Sequence, residues 1–184
     1  VADELTSSDI TKQDIRELVR DGQDIVVQVV KDPIGTKGAR LTTDITIPSR
    51  YLVFMPSVTH VGVSQRIEDE VERERLKSLV QDLCDDEGGF ILRTAAEGVS
   101  ESELIQDAEF LRRLWAKIQS RLKIKKSHIL YEDLPLARRV LRDFVGTVID
   151  RVRIDSNLSF QELQQFTKDY VPELNDKLEY YQGD

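Results

Sequence analysis

The sequence predicts an α+β protein made of more than one module. Two patterns carry that reading. Short β-branched or alternating runs dominate the first quarter of the chain, and longer segments of helical apolar spacing, with short strands between them, dominate the remainder. Size is the third observation: 184 residues suffice for one good core or for two or three small modules.

Element by element, "KQDIRELVR" is a short helical turn and "GQDIVVQVVKD" is a strand rich in β-branched residues. "PIGTKGA" has the Pro, Gly and Thr-Lys content of a hairpin loop. "ARLTTDITIPSRYLVFMP" alternates, with Leu41, Ile45 and Ile47 set between Thr and Asp, so a second strand is expected to pair back on the first. Pro48 marks a boundary, after which "RYLVFMP" opens a new apolar strand and "HVGVSQRI" gives another short one. From Ile67 to Cys84 the residues Ile67, Val71, Leu76, Leu79, Val80 and Leu83 keep a helical period. "GGFIL" is the continuous apolar run of an interior strand, released by two glycines.

Ser100 with Glu103 has the form of a capping box, and Leu104, Ile105, Ala108, Leu111, Trp115, Ile118 and Leu122 then mark one face of a helix. That helix ends in the basic "RLKIKK", where cations suit the negative end of the dipole. "SHILYED" is predicted as a strand. Pro135 suits a first helical position before the amphipathic "LARRVLRDFVGTV", "DRVRID" is a strand, Ser159 with Glu162 suggests a further cap, and "KLEYY" is a final strand.

Composition narrows the function classes. Hydrophobic residues make up 40% and charged residues 33%, as in a folded globular chain. The net charge of −8 argues against coating nucleic acid by bulk electrostatics, so any nucleic-acid role needs a confined basic patch. No apolar run approaches the ~20 residues of a membrane span, and the polar, acidic N-terminal stretch is no signal peptide. Cys84 is the single cysteine, which excludes an internal disulfide; a reducing cytoplasm and no membrane partner are expected.

Most chemical candidates have a plainer reading. The charges of "RIEDEVERERLK" alternate in sign at helical spacing and describe a solvated face. Asp150 and Asp155 would point to opposite faces of one strand, which disfavours a shared metal. His60 and His128 lack partners at ligand spacing, and Cys84 follows an apolar helix face as a small hydrophobe. "GTKG" (Gly35 to Gly38) lacks the spacing of a phosphate loop and reads as a hairpin tip with one lysine. Trp115 belongs to a helix stripe and hence to a core. The run Lys117, Arg121, Lys123, Lys125 and Lys126 fits a nucleic-acid backbone and helix-end charge compensation equally well.

Arg93 and Thr94, at the end of the "GGFIL" strand, stand apart. Arginine presents a planar fork for two phosphate oxygens, and an adjacent threonine adds a hydroxyl and an N–H. Ala95, Ala96 and Gly98 would let a ligand approach the main chain closely. A terminal phosphate monoester, with roughly −1.5 to −2 charges near neutrality, suits such a pair. From the residues alone, a structural salt bridge for Arg93 is as good a reading.

The runs "DPIGTKGARLTTDITIPSRYLVFMP", "HVGVSQRIE", "GGFILRTAAEGV" and "ARRVLRDF" closely resemble the bacterial ribonuclease E/G family, in the same order and over nearly the whole chain. The resemblance implies a multi-module α+β fragment of an endoribonuclease that cuts single-stranded RNA in messenger decay and in ribosomal and transfer RNA maturation. It implies the C-terminal part of an S1 domain (an OB-fold) over residues 1–48 and a 5′-sensor over 49–127. Part of a ribonuclease-H-like α/β subdomain would occupy 128–184.

By the same resemblance, the family's Arg-Thr pair that holds the RNA 5′-monophosphate aligns with Arg93 and Thr94, and the valine packing under the terminal base aligns with Val53. A glycine of ribonuclease E aligns with Ser49. The S1 lysine that touches RNA aligns with Lys37. In "SQRIE" one arginine of the family motif is replaced by Gln65 while Arg66 is kept. The catalytic magnesium and inter-subunit zinc are expected in the parent protein, with ligands beyond this chain. The fragment by itself is accordingly expected not to cleave RNA. The parent is expected to be a homo-oligomer, and the fragment's S1 strand edges, lacking neighbours, to pair with a second copy or to stay mobile. A free-standing RNA-binding module without nuclease activity is the alternative.

Overall fold

The alternating segments do become strands, though shorter ones than their patterns predict. The computed structural model describes residues 14–84, 88–124, 128–144 and 149–183. It divides into two compact units, Val1–Thr43 and Asp44–Asp184. The α+β class is borne out.

In the first unit a one-turn helix α1 (Ile15–Leu18) is capped by Asp14, whose side chain accepts from Arg16 N. Strands β1 (Gln28–Lys31) and β2 (Arg40–Thr42) form an antiparallel pair with Val29 opposite Leu41. At the hairpin tip Ile34 and Lys37 exchange both main-chain hydrogen bonds, at 3.2 and 3.1 Å, and Gly35 supplies the positive φ of +59° that the turn requires. Val29, Val30 and Leu41 are all exposed. The stretch expected as one second strand in fact splits. Its Arg40–Thr42 portion pairs with β1, whereas Ile47–Pro48 pairs with a strand of the second unit. Pro48 therefore lies within a paired segment.

The second unit is built on a sheet of four strands: β3 (Ile47–Pro48), β4 (Leu52–Met55), β5 (Val61–Val63) and β6 (Gly89–Leu92), in the order β3-β4-β6-β5. β4 is antiparallel to β3 and β6, whereas β5 runs parallel to β6. The parallel pair needs a crossover, supplied by helix α2 (Glu70–Gln81). Asp69 caps α2 by accepting from Val71 N at 2.9 Å and Glu72 N at 3.4 Å. The cap sets the start three residues later than the apolar spacing predicts, and Val71, expected on the packed face, is exposed.

Helix α3 (Glu101–Leu122) opens with the predicted capping box. Glu103 N donates to Ser100 Oγ at 3.4 Å, and Ser100 N donates to Glu103 Oε2 at 3.3 Å. Along β4, Leu52 and Phe54 are buried while Val53 and Met55 are half-buried. The first pair joins the core with Leu76 and Val80 of α2 and with Leu104, Ala108 and Leu111 of α3. Trp115 packs edge-on against Phe54 with centroids 6.2 Å apart, so it is a core residue as predicted. The other sheet face carries Val53, Gly62 and Ile91, all half-buried.

Beyond α3 come helix α4 (Leu136–Asp143), strand β7 (Val152–Ile154), helix α5 (Asn157–Tyr170), a 3-10 segment (Pro172–Lys177) and strand β8 (Leu178–Tyr180), which runs parallel to β7. Phe110, Phe166 and Tyr170 tie α3 to α5, with centroid distances of 6.5, 6.0 and 5.1 Å.

Three local expectations are corrected here. Residues 128–133 form no strand, and the Leu130 carbonyl is instead taken by the Arg121 guanidinium at 2.8 Å. Pro135 caps α4 from just outside its first turn. The cap of α5 is Ser156, which accepts from Ser159 N at 3.3 Å, so Ser159 lies inside the helix. Lys125 and Lys126 lie outside the described residues.

Candidate functional site

Three strand ends meet on one rim of the four-stranded sheet. β6 ends at Leu92 and delivers Arg93 and Thr94, β5 ends at Val63 and delivers Ser64, and β3 passes through Ser49 and Arg50 into β4. Arg93 keeps the sheet pattern one residue further, its N–H donating to the Tyr51 carbonyl at 2.8 Å. Thr94 then opens a 3-10 turn, Thr94–Ala96.

The Arg93 guanidinium is exposed and is held from one side only. Its Nη1 donates to the Ser49 carbonyl and, at 3.4 Å, to the Arg50 carbonyl. Among the described residues no carboxylate pairs with it, which removes the salt-bridge reading within that set. Main-chain carbonyls orient a guanidinium without neutralising it, so the group keeps its positive charge, and among the described residues Nε and Nη2 make no hydrogen bond. Thr94 Oγ1 lies 3.1 Å from Ser64 Oγ, which also accepts from Arg66 N at 3.4 Å. The rim thus carries one guanidinium and two hydroxyls, the hydroxyls of Thr94 and Ser64 lying within hydrogen-bond distance of each other.

Arg73 of α2 fixes the turn that carries Ser64 and Arg66, donating to the Ser64 carbonyl at 2.9 Å and the Ile67 carbonyl at 3.2 Å. The Arg66 side chain is exposed and has no partner among the described residues. Glu72 secures the other side of the rim. Its Oε1 accepts from Gly98 N at 2.8 Å while Arg75 grips both carboxylate oxygens at 2.7 Å. Those bonds, the Arg75 bond first, hold the Glu72 carboxyl down at about 2.

Val53 lies on the half-buried sheet face directly opposite Ile91, which is in turn opposite Gly62 on β5. These residues form a shallow apolar floor beside Arg93. Ser49, by contrast, is wholly buried: its hydroxyl donates to Asp107 Oδ1 at 2.6 Å, and only its carbonyl faces the rim. Lys37 sits at the hairpin tip of the first unit. Arg93, Thr94, Val53, Arg66 and the Ser49 carbonyl are therefore brought to one region of the second unit.

Two expectations about the small residues are revised. Ala96 is fully buried and plugs the core under the 3-10 turn. Gly98 adopts φ +73° and uses its N–H on Glu72, so its role is the turn itself.

Sequence reasoning missed Ser64, Ile91 and Asp107. Ser64 and Ile91 carry no pattern of their own. Asp107 does, because it holds the i+3 position of the Leu104, Ala108, Leu111 stripe, where an acid must be buried. Burial raises the Asp107 carboxyl above its usual range, against the hydrogen bonds it accepts from Ser49 and the main chain. Tyr51, beside it, has its phenol pushed up to about 12, chiefly by burial.

Comparison with known sequences decides the kinship of this site. The sequence model of the Ribonuclease E/G family matches residues 46–184, which spans the whole four-stranded sheet and all that follows it. The chain belongs to the ribonuclease E/G family. It is 62% identical to Ribonuclease G of Escherichia coli (strain K12) over 174 residues, covering 94% of this chain and 36% of that protein. It is 59% identical to Ribonuclease G of Haemophilus influenzae over 182 residues, covering 98% of this chain and 37% of the relative. Ribonuclease E of the cyanobacterium Nostoc sp. (strain PCC 7120) is 38% identical over 157 residues.

The chain therefore spans little more than a third of the length of the ribonuclease G relatives it matches. Among the described residues no three His, Cys, Asp or Glu side chains gather as metal ligands. Among the same residues no helix is long and apolar enough to cross a membrane.

Proposed function

We propose that this chain is the RNA-binding, 5′-monophosphate-sensing region of a ribonuclease G-like endoribonuclease that cuts single-stranded RNA. In this reading residues 49–127 form the sensor, 1–48 belong to an S1 domain and 128–184 to a ribonuclease-H-like subdomain. One observation carries the proposal. The Arg93 guanidinium is oriented by the Ser49 and Arg50 carbonyls, with no acid pairing to it among the described residues, and the next residue in the chain is Thr94, whose hydroxyl meets that of Ser64. A cation held in this way is open to an anion, and a terminal phosphate offers it several strong acceptor oxygens.

Val53 and Ile91 supply an apolar surface on which the first base can rest, and Arg66 can meet a backbone phosphate of the strand; Lys37, at the hairpin tip of the first unit, is a separate RNA contact in this reading. The metal-dependent cutting step is assigned to parts of the parent outside this chain, so the chain binds RNA and does not cleave it. Val29, Val30 and Leu41 of the first unit, exposed on a two-stranded ribbon, support a parent in which further chain or a second copy covers them.

The test is direct. Fluorescence anisotropy with a short single-stranded RNA bearing a 5′-monophosphate or a 5′-hydroxyl should show tighter binding of the former by about 1.5–3 kcal/mol, roughly 10- to 150-fold. Arg93→Ala should abolish the difference. Equal affinity of the native chain for both ends would refute the assignment, and cleavage of the RNA in magnesium would refute the inactive reading.

A further inference from the structure

The main chain that receives Arg93 is bonded along its other edge to a residue of α3, and three peptide units connect the two. Asp107 of α3 is buried and accepts four hydrogen bonds. Its Oδ1 takes the Ser49 hydroxyl at 2.6 Å and Arg50 N at 3.3 Å, and its Oδ2 takes Tyr51 N at 3.0 Å and Leu52 N at 2.9 Å.

In a planar trans peptide the carbonyl of one residue points opposite to the N–H of the next. Aiming the N–H groups of Arg50, Tyr51 and Leu52 at Asp107 therefore turns the carbonyls of Ser49, Arg50 and Tyr51 the other way. All three of those carbonyls face Arg93. The Ser49 carbonyl and, at 3.4 Å, the Arg50 carbonyl accept from Nη1, and the Tyr51 carbonyl accepts the Arg93 N–H at 2.8 Å. Each peptide plane between Ser49 and Leu52 is gripped by Asp107 at one edge and by Arg93 at the other.

We infer that Asp107 is the positioning residue of the Arg93 anion site: it sets the orientation of three consecutive peptide units, and those units set the guanidinium. The inference rests on the 5′-phosphate reading of that site. Among the described residues Ser49 is the one side chain that bonds to Asp107, and its other donors are main-chain N–H groups. An amide at position 107 would direct its NH2 at one or two of these donors, so the planes would lose their common anchor while the volume stays the same. Loss of the anchor frees the Ser49 and Arg50 carbonyls to rotate and takes the rigid seat from the guanidinium. Arg93 itself, and the charge it carries, is untouched.

The experiment compares the native chain with Asp107→Asn, Ser49→Ala and Arg93→Ala. For each, affinity is measured for the same RNA with a 5′-monophosphate and with a 5′-hydroxyl, and folding is checked by circular dichroism and thermal melting. A general structural role would weaken both ligands together. The positioning role instead predicts that D107N lowers the ratio of the two affinities at least about fivefold, with 5′-hydroxyl binding nearly unchanged, and that S49A lowers it about twofold. D107N that folds and keeps the native ratio overturns the inference while leaving the phosphate site standing, provided R93A loses the ratio. Should D107N fail to fold, S49A decides: an unchanged ratio overturns the inference, a reduced one supports it. A native chain with no preference between the two RNAs overturns the site and the inference together.

Discussion

Gly89 lies against the main chain of His60. A Cβ at Gly89 would fall on the His60 carbonyl oxygen and 2.5 Å from both His60 N and Val58 O. Neighbouring Gly88 has φ +144°, and a Cβ there would meet Phe54 Cε2 at 2.7 Å and the Met55 carbonyl at 2.8 Å. The two glycines at the start of β6 thus exist for close backbone approach, which lets β6 slide between β4 and β5.

Gly89→Ala should accordingly be costly. The obstructing atoms are backbone and cannot rotate away, so a loss of about 3 kcal/mol is expected in urea denaturation. Gly98→Ala is the control. Its φ of +73° is unfavourable for alanine but a Cβ there meets nothing within 4 Å, so the cost should be nearer about 1–2 kcal/mol. Similar values for the two variants would contradict the close-approach account.

Ser100→Ala removes one half of the capping box at α3. The helix carries more of the unit's buried apolar residues than any other element, six among the described ones, so the loss should appear in global stability, at about 1 kcal/mol. An unchanged denaturation midpoint would show that Glu103 alone suffices at that terminus.

Acid should loosen the rim through Glu72. Its carboxyl is held at about 2 in the folded chain against an ordinary 4.5, so the ionised form favours the fold. The contribution is complete above about pH 4.5 and is lost as pH falls through about 2. The gap in melting temperature between the native chain and Glu72→Gln should therefore be largest near neutrality and close across that window. A gap that stays constant down to about pH 2 would assign the effect of the substitution to something other than the carboxylate.

Arg93→Lys separates charge from shape. A lysine keeps the positive charge but cannot both rest on two carbonyls and present a planar pair of donors outward. Binding of a 5′-monophosphorylated RNA should weaken about five- to tenfold, most visibly at higher salt where the bare Coulomb attraction is screened. A variant as tight as the native chain would mean that charge alone serves the site.

How much of this could be read from the residues varies with the kind of signal. The α3 capping box and the apolar stripe through Trp115 were legible because each depends on residues a few positions apart in one element. The "GGFIL" run identified β6 as interior, but not why its glycines are there, since that reason sits on His60 and Val58. Strand extents were overestimated in "ARLTTDITI" because alternation shows which face a residue takes and is silent about which strand it bonds to. Val71 is exposed because, inside α2, it lies about 140° around the helix from Leu76 and about 180° from Val80, the two buried residues. Arg93 could be singled out by type and position. Whether it faced an acid or a carbonyl was decided by the main chain of Ser49 and Arg50, far away in sequence.

The seat of Arg93 has a consequence for how this region can drift over generations. Main-chain oxygens are supplied by every amino acid, so substitutions at positions 50 and 51 leave the arginine's supports in place. Across a set of related chains, Arg93 should therefore show no tie to any acidic neighbour on the rim. Its partner in such a record should be position 107, on a helix it does not touch.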